Sequence, residues 1–223
     1  MRERTAALAV ALGLALAGMA CGDAVTGVID HYFTALNAND TNTLTSFASV
    51  ILDEKVDSWK IVSIGEEKRG PASLPQLVVK RTELEAALAE NKKGFQAWGN
   101  DLEIYPKLER VRELQKAEKK IPKSLQPIAE KSDEFNGRDR ELKVEVSKAK
   151  QAVEAEMRNT VLSVGQLEGI ETLPGEVVSK TVDLDLTIDG QVQPYVMSLR
   201  KYVLQSDTRL ISRWVVERLD PKS

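Results

Sequence analysis

The amino-acid sequence predicts an α+β fold with an antiparallel sheet near its C-terminus and a long helical hairpin inserted in its middle. Apolar residues recur at three- and four-residue spacing between residues 23 and 38, which is typical of an amphipathic helix. A densely charged middle segment carries one apolar seam at heptad spacing, which indicates paired helices. Apolar and polar residues then alternate from Thr181 to Ile188, as in a half-buried strand.

The first twenty residues predict an export signal. Arg2 and Arg4 precede an uncharged apolar run from Thr5 to Met19, which is shorter than the roughly 20 residues of a membrane-spanning helix. The run ends in Gly18-Met19-Ala20-Cys21, which resembles the lipobox of bacterial lipoproteins and implies cleavage before Cys21 and lipid on its thiol. We therefore expect a signal peptide over residues 1–20 and a lipid-anchored body on a membrane of the cell envelope. An ordinary secretory signal is the alternative.

The lone cysteine agrees with this interpretation. Cys21 is the only cysteine in the chain, so no intramolecular disulfide is available to the folded body. Two or more acyl chains on that residue would hold the protein stably at a bilayer.

The N-terminal part of the body predicts two helices and a strand. The first helix begins after a candidate N-cap, Asp23, and a second short helix carries Leu44 and Phe47 on one face. Residues 55–65 are rich in β-branched residues and predict a strand. Residues 66–75 are polar, contain three Gly or Pro residues and predict a loop.

Residues 76–165 predict the helical hairpin. Thr82 and Glu85 form a capping-box pattern, so we expect a helix from Thr82 to Lys120 with a kink at Pro106. Two prolines between Lys119 and Pro127 indicate a turn, after which a second helix returns through Ile128 and Met157. The apolar seam of the first helix comprises Leu84, Leu88, Phe95, Trp98, Leu102 and Tyr105.

The C-terminal segment predicts three strands. Asp189-Gly190 is a two-residue hairpin signal, and residues 192–204 return as the second strand, with Pro194 indicating an edge or a bulge. Residues 209–219 predict the third strand.

Two stretches of the chain resemble the nuclear transport factor two-like superfamily. Its opening motif is similar to residues 32–40, YFTALNAND, with Leu44 and Phe47 after it, and the closing strands are also similar. The resemblance implies a curved antiparallel sheet wrapped by the N-terminal helices into a cone with a pocket. It places residues 21–75 and 166–223 in one domain and residues 76–165 in an inserted antiparallel, coiled-coil-like hairpin.

Aromatic residues are the candidates for that pocket, with core packing as the alternative. They are Tyr32, Trp59, Tyr195 and Trp214. The resemblance to ketosteroid isomerases within the superfamily would make Tyr32 an oxyanion donor and Asp57 the base, although Asp57 is one residue out of register, which turns a strand side chain to the opposite face.

Other chemistry has little support in the sequence. The net charge of −3 provides no basic field for nucleic acid, and the single histidine, His31, leaves no ligand set for zinc, so we expect neither nucleic acid nor a cofactor or metal. Asp183 and Asp185 share a strand face and predict a solvated surface, with a cation site as the alternative.

We expect a binding or scaffolding role rather than an enzyme. The membrane surface is reached through Cys21, and a protein partner is expected at the hairpin, where Phe95 and Trp98 either join the two helices or form an exposed patch. The alternatives are a carrier or sensor of a small apolar ligand in the cone, and an isomerase using Tyr32 and Asp57. The oligomeric state stays open.

Overall fold

The computed structural model describes residues 24–206, 210 and 212–222, and over these residues the chain is an α+β protein. Cys21, Asp23 and the predicted signal peptide lie outside the described residues. The helices are α1 (Ala24–Asn37), α2 (Thr41–Phe47), α3 (Leu74–Gly99), α4 (Tyr105–Lys116) and α5 (Gln126–Val164). The strands are β1 (Ser58–Ile64), β2 (Lys68–Pro71), β3 (Gly175–Ile188), β4 (Gln191–Leu204) and β5 (Val215–Pro221).

The five strands form one open antiparallel sheet in the order β1-β3-β4-β5, and β2 pairs with the first half of β3. This confirms the predicted antiparallel sheet. The prediction of a loop over residues 66–75 is wrong, because Lys68–Pro71 pairs with Glu176–Ser179. These four residues have no apolar alternation of their own, and the ladder of β3 supplies their hydrogen-bond partners.

The turn between β3 and β4 is the predicted hairpin. Asp189 and Gly190 have φ values of 51° and 73°, the left-handed pair that a two-residue turn of this kind requires. Pro194 lies within β4 opposite Asp185, one residue beyond the last pair that β4 forms with β5. The last of the three strands predicted near the C-terminus is β5, which begins at Val215. Residues 212–214 are not part of a strand, so the prediction of a strand from residue 209 is wrong there.

Side chains of the sheet pack on both of its faces. The main core lies between α1, α2 and one face, where Tyr195, Met197 and Leu199 of β4 are buried. Tyr202 and Leu204 have the opposite parity along the strand, so they point to the other face. There they pack with Val164, Ile170 and Ala72 in a second cluster that includes the end of α5.

The first long helix begins and ends earlier than its sequence pattern predicts. It starts at Leu74, and the hydroxyl of Thr82 donates to the carbonyl of Val78 inside the helix, so the predicted capping box is wrong. The helix stops at Gly99, and Pro106 lies in the first turn of α4 instead of kinking one continuous helix. Proline fits a first turn because the N–H that it lacks has no intrahelical partner there.

A second long helix is present where the sequence predicts one: α5 is 39 residues long. Among the helices of the described residues, none is both long enough and apolar enough to cross a bilayer.

Candidate functional site

Helices α3 and α5 lie side by side and, together with α4, form what we call the arm, residues 74–164. Near its base, the hydroxyl of Ser73 donates to Glu156 at 2.6 Å. Further out, the Asn91 amide donates to the carbonyl of Phe135 at 3.2 Å. Residue numbers rise along α3 as they fall along α5, so the two helices run in opposite directions.

An aromatic cluster joins the outer parts of α3 and α5. The ring of Phe135 lies 5.5 Å from that of Phe95 and 5.8 Å from that of Trp98, between ring centroids. Phe95 and Trp98 are 5.9 Å apart, and the Lys131 ammonium lies 5.0 Å from the centre of the Phe135 ring. Phe95 and Trp98, the two predicted candidates for partner contact, are half-buried and hold the two helices together.

The turn after α3 and the first residue of α4 present apolar side chains to solvent. Leu102 is 93% exposed and Tyr105 is 53% exposed, so the prediction that they continue the helical seam is wrong. The Asp101 carboxylate accepts the N–H of Glu103 at 2.8 Å and that of Ile104 at 3.3 Å, which stabilises the turn. We call Leu102 and Tyr105 the arm tip.

Tyr32, a candidate pocket and catalytic residue, is fully buried. Its hydroxyl donates to the carbonyl of Val50 at 3.2 Å and accepts the N–H of Leu52 at 3.1 Å. Burial raises the pKa of Tyr32, against the opposing effect of the Leu52 hydrogen bond. The hydroxyl therefore satisfies two main-chain groups and stays protonated at neutral pH.

The other candidate pocket residues belong to the main core or its edge. The Trp59 indole stacks on Phe33 at 5.2 Å and donates to the Asp30 carboxylate at 2.9 Å. Tyr195 is buried, and its pKa is raised by that burial and by the charge of Glu54.

Trp214 is buried beneath two cations. Its ring centre lies 5.9 Å from the Lys180 ammonium and 5.0 Å from that of Lys201. Trp214 is thus part of the main core, and the two ammonium groups lie over its ring.

Asp57, the candidate base, stabilises the β3–β4 turn. It is exposed, and its carboxylate accepts the N–H of Gly190 at 3.1 Å. Among the described contacts, the Asp57 carboxylate binds the β3–β4 turn, whereas the Tyr32 hydroxyl binds the main chain of Val50 and Leu52. These contacts favour a structural role for each residue.

The remaining polar candidates are also bound to the protein or solvated. His31 is exposed and stacks on Phe47 at 4.9 Å. Asp183 accepts hydrogen bonds from Lys222 and Ser63, which lower its pKa. In the part of the chain that is described, Asp183, Asp185 and the other acidic and histidine residues form no group of three that could hold a metal ion.

Sequence reasoning missed a buried polar network that connects the arm to the sheet. The Glu156 carboxylate is buried on α5, accepts the Ser73 hydroxyl, and contacts the Arg200 guanidinium at 3.0 Å. Arg200 also binds Glu217 at 2.8 Å. Burial raises the pKa of Glu217, against the lowering effect of the Arg200 charge. The available signal was an acidic residue at a seam position of α5.

Comparison with known protein families, characterised proteins and solved structures finds no match to this chain.

Proposed function

We propose that this chain is a lipid-anchored binding or scaffolding protein of the cell envelope, which contacts a protein partner through the arm tip. Lipid on Cys21 would provide the membrane anchor. Residues 21–75 and 166–223 would form a nuclear transport factor two-like domain, and residues 76–165 would be its coiled-coil-like hairpin insertion. The position of α1 and α2 on one sheet face, and of the arm between β2 and β3 in the chain, supports this division.

The exposure of Leu102 is the observation that carries the proposal. At 93% exposure this side chain contributes almost nothing to the core, although the turn around it is stabilised by main-chain N–H groups that donate to the Asp101 carboxylate. Full burial of a leucine side chain is worth about 1.5–3 kcal/mol. Because folding leaves Leu102 exposed, its burial against a partner could contribute this free energy to binding. Tyr105 adds an aromatic side chain, a residue type enriched at interface centres.

The length of the arm explains why such a contact would lie away from the sheet. Leu102 follows the outer end of α3, whose 26 residues extend over about 39 Å. Because α1 begins at Ala24, only three residues after Cys21, an acylated N-terminus would keep the first helix near the bilayer. The arm tip would then be offered to a partner at a distance from the sheet domain.

Site-specific photo-crosslinking in cells tests the partner contact. A photoreactive amino acid is placed at Leu102 in the full chain and, as matched controls, at Val144 on α5 and Val62 on β1, which are each 54% exposed. We expect a discrete adduct with one protein from position 102 only. The same adducts from all three positions, or none from position 102, would contradict the proposal.

The anchor is tested separately. Mass analysis of the protein from membranes should show a chain that begins at an acylated Cys21, and Cys21→Ser should release it to the soluble fraction. An unmodified residue 21, or a retained leader, would remove the envelope assignment without affecting the crosslinking result.

A further inference from the structure

A groove of about 340 Å³ lies between α3 and α5 in the inner half of the arm. Its apolar lining consists of Leu77, Leu84, Ala149 and Ala152, and its charged lining of Lys80, Lys148 and Glu145. The groove exists because small side chains, Ala149 and Ala152, face α3 where larger ones would fill the space between the helices. Its volume falls within the range of small-molecule sites, roughly 300–1,000 Å³.

The charged lining of the groove carries more positive than negative charge. Lys80 and Lys148 form no ion pair with any of the described residues, and Glu145 is the one acid in the lining. The lining therefore has an excess of one positive charge beside an apolar surface.

We propose that the groove binds a single-chain amphiphile with an anionic head group, of the fatty-acid type. The alkyl chain lies on Leu77, Leu84 and the two alanines, and the head group lies near Lys80 and Lys148. The excess of positive charge selects an anionic head over a cationic one. This site is separate from the arm tip, so it holds or fails independently of the proposed partner contact.

Methyl-detected NMR of the full chain tests this proposal, because the methyl groups of Leu77, Leu84, Ala149 and Ala152 report on the groove itself. The probes are dodecanoate and dodecyltrimethylammonium, both below their micelle-forming concentrations. We expect saturable shifts of the groove methyls with dodecanoate, and affinity at least about tenfold weaker for the cationic probe, a factor that corresponds to about 1.4 kcal/mol.

Matched variants distinguish binding in the groove from binding elsewhere on the arm. Ala152→Phe should fill the groove and abolish the shifts, whereas Ala155→Phe, at an exposed position of α5, should leave them unchanged. Lys80→Glu should weaken dodecanoate binding by about tenfold, whereas Lys92→Glu, at an exposed position of α3, should not.

Several results would overturn the proposal. They are the absence of saturable shifts in the unmodified chain, equal affinity for both probes, and equal effects of Lys80→Glu and Lys92→Glu. A dimer in sedimentation that Ala152→Phe dissociates would instead identify a second copy of the chain as the occupant.

Discussion

Replacement of Glu156 by alanine tests the connection between the arm and the sheet. The change removes the hydrogen bond from Ser73 and one of the two carboxylates that contact Arg200. A hydrogen bond to a charged group is worth about 1.5–3 kcal/mol, and breaking a fully buried ion pair costs about 3–5 kcal/mol. Arg200 is 31% exposed in its side chain and keeps Glu217, so its charge is not left uncompensated. We therefore expect the free energy of unfolding to fall by about 2–3 kcal/mol.

Urea unfolding followed by far-ultraviolet circular dichroism measures this change. Glu156→Gln should be less severe, about 1–2 kcal/mol, because the amide oxygen still accepts the Ser73 hydroxyl. The control is Glu141→Ala on the same helix, since Glu141 is 69% exposed and lies 3.5 Å from Arg138. Exposed pairs of this kind contribute little, so the control should change stability by less than about 0.5 kcal/mol. If Glu156→Ala were no more destabilising than Glu141→Ala, the network would not hold the arm to the sheet.

Three further predictions use the same unfolding measurement. Gly175→Ala should destabilise the protein by about 2–3 kcal/mol, because its Cβ would lie 2.4 Å from the carbonyl oxygen of Val203, and a change below about 0.5 kcal/mol would contradict this contact. Arg213→Ala should cost about 1–3 kcal/mol, since its guanidinium donates to carbonyls in the last turns of α2 and α5, and Arg213→Lys should recover only part of the loss. The raised pKa of Glu217 means that the folded protein binds a proton at this carboxyl more tightly than the unfolded chain does. The protonated carboxyl therefore stabilises the folded state fully below the unfolded pKa, near 4.3, and this stabilisation is lost as pH rises through the folded pKa. The stability of the unmodified protein relative to Glu217→Gln should therefore fall between pH 4 and pH 7, and a rise over that interval would refute the direction of the shift.

Only some of the residues at the candidate surfaces could be predicted from the sequence. Heptad spacing singled out Phe95 and Trp98, and both contact Phe135 on α5. The same spacing continues through Leu102 and Tyr105, so the pattern placed them in the seam. The helix instead ends at the buried Gly99, where a Cβ would lie 3.3 Å from Leu108, and the side chains beyond it turn outward.

Local patterns in the sequence determined the elements whose stability depends on neighbours in the chain. The amphipathic stripe of α1, the heptad run of α5 and the Asp189-Gly190 turn were each predictable, because periodicity and turn conformation are properties of a few consecutive residues.

Only the tertiary structure decided the features that depend on partners far along the chain. The pairing of β2 with β3 joins segments about a hundred residues apart, and Glu156 contacts Ser73 and Arg200, which are 83 and 44 residues away from it in the chain. The groove exists because two small residues of α5 meet α3 at one level of the arm. Such contacts produce no periodic pattern in the sequence, because the hydrogen-bond or packing partner of each group depends on how the elements pack and not on residue spacing.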